Sequence, residues 1–217
     1  MHYDSLPIHH FQQLESTNKT AWELFQQGEK TPFIVTADEQ TAGKGQWGRQ
    51  WVSSLGGLYL SLILTPEMKI EQPSYLTISS VFGVTEMLRN YQIPAQIKWL
   101  NDIFLNRKKL GGILIETHLK TQKLKAVVIG IGLNWENTVP ELGITLKDYI
   151  NQTNFIPSFN SSLPLKEDLY NYKLPPTIAS LPDLKIIVIN GLLLGYQRYR
   201  QEGITAILPE YEARLLN

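Results

Sequence analysis

Gly43-Lys44-Gly45-Gln46-Trp47-Gly48 is a Gly-x-Gly-x-x-Gly string that follows a predicted strand, Phe33-Ile34-Val35-Thr36-Ala37. In a dinucleotide-binding fold such a loop opens a helix whose N-terminal amides hold a pyrophosphate. Here the string continues as Arg49-Gln50-Trp51-Val52-Ser53-Ser54-Leu55-Gly56-Gly57, which has no helical period, and runs into a second apolar strand, Leu58 to Leu64, closed by Pro66. The doubly wound reading therefore fails. A P-loop fails as well, because Lys44 is followed by Gly45 and not by the Ser or Thr that would hold magnesium. What remains is a cationic, glycine-rich loop from Gln40 to Gly57 whose backbone can approach an anion closely. A surface loop with tight turns explains the same composition equally well.

Working outward from the loop, Ile8 to Leu14 reads as an extended segment. Ser16-Thr17-Asn18 can each accept a backbone N–H at a helix start; Ala21, Leu24 and Phe25 supply the apolar face and Gly28 the stop. From Pro73 to Tyr91 the spacing of Leu76, Val81, Val84, Met87 and Leu88 predicts a core-packed helix that stops before Pro94. Three strand-like runs follow: Gln96 to Trp99 continuing to Phe104-Leu105, then Leu110 to Leu119, then Leu124 to Leu133. Asn106-Arg107 and Thr121-Gln122 serve as turns between them, which makes an antiparallel meander. Asn151 to Pro176 reads mostly as loop, Leu184 to Tyr199 as an apolar helix, and Pro209 to Leu216 as a short terminal one. Strands and helices mix without strict alternation, so the predicted class is α+β, a mixed or antiparallel sheet packed against helices, in one domain over 1–217.

Composition limits the function classes. With 43% hydrophobic and 18% charged residues the chain can form a real core, and at this length roughly 70% of the unfolded surface is buried on folding. Twenty basic and twenty acidic side chains cancel, so there is no global attraction to nucleic acid or anionic membrane. Zero cysteines exclude disulfides, thiolate zinc sites and a cysteine nucleophile. His2, His9, His10 and His118 lack metal-ligand spacing. Met1 to His10 has no apolar run behind a basic region, and no stretch reaches about 18 apolar residues, so a soluble, cytoplasmic protein is expected.

Charge is nonetheless concentrated locally. Between Gln96 and Lys125 lie Lys98, Arg107, Lys108, Lys109, Lys120, Lys123 and Lys125 against only Asp102 and Glu116. In Lys109-Leu110-Gly111-Gly112-Ile113-Leu114-Ile115-Glu116 a lysine stands at a strand mouth, beside glycines that leave room for a bound group against the backbone. A lysine held there suits developing negative charge on phosphate or carboxylate. Lys120, Lys123 and Lys125 read better as a solvated strand edge.

Taken together, Ser16-Thr17-Asn18, the loop Gly43 to Trp51, Lys98-Trp99-Leu100-Asn101-Asp102, Lys109 to Leu114, and Gly130-Ile131-Gly132-Leu133-Asn134 occur in the order and spacing of the biotin protein ligases. The resemblance covers roughly residues 8 to 150 and implies the catalytic domain shared with class II aminoacyl-tRNA synthetases. It also implies condensation of biotin with ATP to biotinyl-5'-AMP, followed by transfer of biotin to one lysine of the biotin carboxyl carrier protein of acetyl-CoA carboxylase. By family position Lys109, Lys44 and Arg49 would be catalytic, neutralising the carboxylate and clamping phosphates. Ser16, Thr17, Gln40, Gly43, Lys44, Trp51, Lys109 and Gly112 would bind biotin. Lys44, Gln46, Arg49, Trp51, Asn101, Asp102 and Asn134 would bind nucleotide, with Asp102 near Mg2+. For Ser16 a simple N-cap role explains the residue type as well.

The chain departs from the family where many bacterial members carry a second basic residue and this sequence has Gln46, which cannot make a charge-assisted phosphate contact. Fifteen residues precede Ser16 and the chain stops on a helical segment, so neither a winged-helix domain nor an SH3-like C-terminal domain is expected. The expected protein is monofunctional, a monomer or homodimer, with no DNA or membrane partner. Two other readings compete: a lipoate ligase or octanoyl transferase of the same architecture, and a non-catalytic module gripping nucleotide or single-stranded nucleic acid through Trp47, Trp51 and the basic meander. The latter needs a continuous basic and aromatic groove, which a net charge of zero does not support.

Overall fold

A computed structural model describes residues 6–66, 72–120, 123–160 and 174–216. The elements run β1 (Ile8–Leu14), α1 (Thr17–Gln26), β2 (Phe33–Gln40), β3 (Leu58–Leu64), α2 (Pro73–Asn90), β4 (Gln96–Lys98), β5 (Asp102–Leu105), β6 (Lys108–Lys120), β7 (Lys123–Leu133), α3 (Leu146–Thr153), α4 (Leu181–Glu202) and α5 (Ile204–Glu212). Among the described residues all strands join one seven-stranded sheet in the order β1-β2-β3-β7-β6-β5-β4. β1 is parallel to β2 and every other pairing is antiparallel, so the sheet is mixed and the class is α+β as expected.

The two faces of the sheet are covered differently. Leu58, Leu60, Leu62 and Leu64 of β3 and Val127, Ile129, Ile131 and Leu133 of β7 point into the main core with α2, α4 and α5. On the opposite face Phe33, Val35, Ile63, Ala126 and Val128 pack beneath Ala21 of α1. Every residue of β3 is buried because both of its faces are covered, which is why it reads as an apolar run broken only by Ser61. Helices α2 and α4 approach closely enough that a Cβ on Gly195 would lie 2.0 Å from the Ser79 carbonyl oxygen, and one on Gly83 2.2 Å from that of Gly191.

Three expectations are corrected. Gln96 to Leu105 is not one continuing strand: residues 99–101 form a turn, and β4 pairs back on β5. The short terminal helix starts earlier, at Ile204, with Pro209 inside it, because Gly203 at φ 77° separates it from α4. The predicted loop from Asn151 overlaps the end of α3, a helix whose Thr145 side chain accepts from the Asp148 N–H at its N-cap. The Thr121-Gln122 turn and residues 161–173 of the predicted loop lie outside the described residues.

Candidate active site

On the α1 face, Ala126 and Val128 of β7 are succeeded by Gly130 and Gly132, and the apolar layer gives way to a cleft of about 420 Å³. Gly132 pairs with Gly112 and Gly130 with Leu114 on β6, so this part of the floor is almost bare of side chains. The space serves the protein's own walls. A Cβ on Gly130 would lie 2.1 Å from Asn18 Oδ1, and one on Gly132 2.3 Å from Trp51 Nε1. Among the described residues neither Asn18 Nδ2 nor Trp51 Nε1, both buried donors, has a partner. Unpaired buried donors in a concave wall invite an acceptor from a ligand.

The first wall is the start of α1. Gln40, at the end of β2, accepts from Thr17 N at 2.8 Å and Thr17 Oγ1 at 3.2 Å, and donates to Ser53 Oγ at 2.7 Å. Ser61 Oγ donates from the centre of β3 to either Thr17 Oγ1 or Asn18 Oδ1, at 2.8 and 2.6 Å. Ser16 holds the N-cap position in extended conformation but makes no capping bond with its side chain. The capping acceptor comes from Gln40, so the N-cap explanation for the Ser16 hydroxyl fails and that hydroxyl remains available on the lining.

The second wall is the glycine-rich segment, which is a small hairpin. Gly45 N donates to Arg49 O at 2.7 Å, Trp51 N to Gly43 O at 2.9 Å, and Lys44 bridges Gln50. Its tip is a single 3-10 turn, Gln46–Gly48, with Trp47 at φ 59° and 91% exposed. No α-helix follows within the hairpin, in agreement with the rejection of a dinucleotide site. Lys44 and Arg49 are exposed on this hairpin and both line the cleft.

The third wall carries Lys109, and a β-bulge decides where it points. Ile103 pairs with Gly111 but Phe104 pairs with Lys109, leaving Leu110 as the extra residue on β6. Residues 109 and 112 are three apart and would face opposite sides of a regular strand. The bulge cancels that difference, as bulges beside functional sites do. Lys109 thus joins Asp102 and Gly112 on the cleft face: its Nζ is 2.8 Å from Asp102 Oδ2 and 5.3 Å from the centre of the Trp51 ring. Lys109 is 34% and Asp102 23% exposed in their side chains, so the pair is within reach of solvent and ligand.

The structure brings Ser16, Thr17, Gln40, Lys44, Gln46, Arg49, Trp51, Asn101, Asp102, Lys109 and Gly112 around one cleft. Within that set Asn101 is turned inward, donating to Ile113 O at 2.8 Å. Gly112 carries Asp102 Oδ1 at 3.0 Å from where its Cβ would be, so the room beside it is taken by the protein's own carboxylate. Two predicted residues are packed into the walls and do not themselves line the cleft: Gly43 against Trp51 O and Ser53 Oγ, and Asn134, buried and hydrogen-bonded to Lys109 O and Leu110 O. Asn18, Lys98 and Trp99 line it and were not singled out. All three stand inside motifs quoted above, beside chosen residues, and Lys98 is also one of the basic residues of the meander. Lys98 rests over the Phe104 ring, and Trp99 is 68% exposed at the mouth with its ring edge-on to Tyr211. Among the described residues the lining holds four cations, Lys44, Arg49, Lys98 and Lys109, against one carboxylate, Asp102.

A positive cleft, two orphaned donors and a lysine aimed by a bulge occupy the stretch matched by the model of the biotin/lipoate A/B protein ligase family, residues 10–134. The chain belongs to the biotin/lipoate A/B protein ligase family. Among curated relatives, the bifunctional ligase/repressor BirA of Bacillus subtilis is 38% identical over 137 residues, covering 62% of this chain and 42% of BirA. The biotin--[acetyl-CoA-carboxylase] ligase of Paracoccus denitrificans is 33% identical over 123 residues, covering 55% and 51%. The chain therefore spans about half or less of the length of these relatives. The fold matches that of Aquifex aeolicus biotin protein ligase in complex with biotin and ATP, with TM-score 0.71 at 23% identity over 97% of this chain and 78% of the other. Among the described residues no group of three His, Cys, Asp or Glu could hold a metal, and no helix is long and apolar enough to cross a membrane.

Proposed function

We propose that this family member activates biotin with ATP as biotinyl-5'-AMP and transfers the biotinyl group to a lysine of a biotin carboxyl carrier protein such as that of acetyl-CoA carboxylase. The observation that carries the reading is the lining of the cleft: four cations and one carboxylate beside neutral polar and indole walls. Such a lining suits two anions that must meet next to an uncharged ring system. A carboxylate oxygen of biotin forms a bond to the α-phosphorus of ATP as the bond to pyrophosphate breaks. The amine of the carrier lysine then bonds to the acyl carbon, AMP leaves with the bonding pair, and the amine loses a proton.

In this scheme Lys109 takes the carboxylate and the developing charge on the α-phosphate. Its present partner, Asp102, occupies an anion position that the substrate would share. Lys44 and Arg49 clamp phosphates from the exposed hairpin, and Lys98 adds a fourth charge at the mouth. Ser16 Oγ, Asn18 Nδ2 and the Trp51 indole face the neutral end of the substrate, while Thr17 and Gln40 hold that wall in shape. Magnesium fits as the counter-ion of ATP and not as a resident metal. Among the described residues Asp102 is the one acid in the lining and its Oδ2 is already engaged with Lys109, so phosphate and water would supply most of the ion's oxygen ligands. The scheme is tested by biotin-dependent exchange of labelled pyrophosphate into ATP, which isolates the first half-reaction. Exchange that responds to biotin and not to lipoate is expected; lipoate-driven exchange would move the substrate to the other branch of the family, and no exchange with either would refute the ligase reading.

A further inference from the structure

The turn at residues 99–101, between β4 and β5, sets Lys98 and Trp99 at the mouth of the cleft. Its backbone is held from two directions. On the β6 side, Ile113 N donates to Asn101 O at 3.0 Å, and Asn101 Nδ2 donates to Ile113 O at 2.8 Å. On the other side, the Tyr211 hydroxyl of α5 donates to Leu100 O at 3.1 Å. Tyr211 is buried, and its ring meets that of Trp99 edge to face, with centroids 6.2 Å apart and planes at 72°. Burial pushes the pKa of the phenol up to about 12, so it remains a donor across the neutral range.

The chain after α5 makes this support rigid. Residues 214–216 lie along the outer edge of β4: Ile97 N donates to Arg214 O and Leu216 N donates to Ile97 O, both at 2.8 Å, and Leu215 bridges Ile97 in parallel. The Arg214 guanidinium ties the same segment to α2, with Nε 2.6 Å from Glu86 Oε1 and Nη2 3.4 Å from Oε2. Tyr211 therefore stands on a platform fixed to both β4 and α2. Asp102 and Lys109 depend less on the turn, because Asp102 is held in the ladder by Lys98 and Gly112, and Lys109 is aimed by the bulge. What the turn governs is the outline of the mouth, where Trp99 is 68% exposed and Lys98 rests over the Phe104 ring.

We infer that Tyr211 is a positioning residue for the nucleotide: its hydroxyl holds the 99–101 turn in the form that presents Lys98 and Trp99 at the mouth. It acts through the turn, since Tyr211 does not itself line the cleft, and it stands outside the 10–134 stretch that the family model matches. In the proposed scheme the mouth takes phosphates of ATP, whereas the neutral end of biotin lies against Asn18 and Trp51. Loosening the turn therefore falls on the nucleotide and spares biotin. That selectivity rests on the ligase reading, so one arm of the test does not depend on activity.

Tyr211→Phe removes the hydroxyl and keeps the ring. In pyrophosphate exchange it should raise KM for ATP fivefold or more with kcat within threefold, while biotin affinity, measured by calorimetric titration, stays within twofold. An unchanged KM for ATP, or equal weakening of ATP and biotin, would overturn the inference. The second arm follows amide hydrogen exchange in the ligand-free full chain by NMR. The Ile113 N–H, which donates to Asn101 O, should lose at least tenfold more protection than the Leu60 and Ile129 N–H groups at the centre of the sheet, because the turn opens locally. Unchanged protection at Ile113, or an equal loss at all three, refutes the positioning role whether or not the chain exchanges pyrophosphate. Selective loss at Ile113 in a chain that exchanges none would uphold the hold on the turn and refute the ligase reading instead.

Discussion

Gly132→Ala adds one methyl group to the cleft floor, and its effect can be worked from three distances. The new Cβ would lie 2.3 Å from Trp51 Nε1, 2.5 Å from Cε2 and 3.0 Å from Cδ1, where ordinary contact begins at 3.4 Å. The whole five-membered edge of the indole must therefore retreat by about an ångström, since the opposing surface is a central strand of the sheet that cannot yield. Overpacking of this kind costs about 1–3 kcal/mol, which in a domain of this size lowers Tm by roughly 2–12 °C. In the proposed scheme the functional loss comes from the wall: a displaced indole would vacate the contact assigned to it with substrate and would leave the Lys109 ammonium, now 5.3 Å from the ring centre. Losing an apolar wall contact and a partly desolvated cation–π contact together weakens binding by about 1.5–3 kcal/mol, or tenfold to a hundredfold. Calorimetric titration of biotin, alongside thermal unfolding of the free protein, measures both effects. Biotin affinity within twofold of wild type would refute the argument that bare floor positions exist to seat Trp51.

Lys109→Ala should reduce biotinyl-AMP formation by two to three decades, about 3–4 kcal/mol of lost charge stabilisation, while the Lys109–Asp102 pair, one-third exposed on the lysine side, contributes at most about 1 kcal/mol to stability. Exchange activity within threefold of wild type excludes Lys109 from the chemistry. Limited proteolysis between Gly43 and Trp51 should slow when biotin and ATP are both present, because a hairpin that closes over an activated anhydride excludes water and protease alike; equal nicking rates count against a lid. Gly195→Ala brings a Cβ to 2.0 Å from the Ser79 carbonyl, a backbone contact that only separation of α2 from α4 can relieve. A loss of about 1–3 kcal/mol, read as a lower denaturant midpoint, is expected, and an unchanged midpoint would show that the two helices have slack.

The sequence reveals those parts of the fold that depend on local pattern. β3 is legible as Leu58 to Leu64 because six apolar or aromatic residues, interrupted only by Ser61, satisfy a strand covered on both faces, and α2 because apolar residues recur along one face from Leu76 to Leu88. The parallel pairing of β1 with β2 depends on a crossover through α1, and no residue type signals strand order. Helix α3 was legible in principle: Thr145 and Asp148 stand three apart, the spacing of an N-cap, but its eight residues lie at the start of a stretch dominated by Asn, Ser and Pro. For the site, the motifs bring most of the chosen residues to one cleft. The bulge is invisible, since Lys109 and Gly112 at odd spacing read as opposite faces and only the register with β5 reverses that. The sequence marks the loop glycines and Gly111-Gly112 as places of close approach, but that Asn18 and Trp51 approach Gly130 and Gly132 is a tertiary fact that spacing cannot supply.

A basin with a bare backbone floor is shaped from its sides. Where Gly130, Gly132 and Gly112 form the base, the outline met by a ligand is drawn by Asn18, Trp51 and the Asp102–Lys109 pair. These contours come from separate segments of chain, so each can be altered without disturbing the ladder that carries the base. A designer seeking an enlarged or reshaped substrate would leave the strands alone and trim the indole or the carboxamide. The molecule thereby keeps the rigid part of its recognition apparatus apart from the part that selection can rewrite one residue at a time.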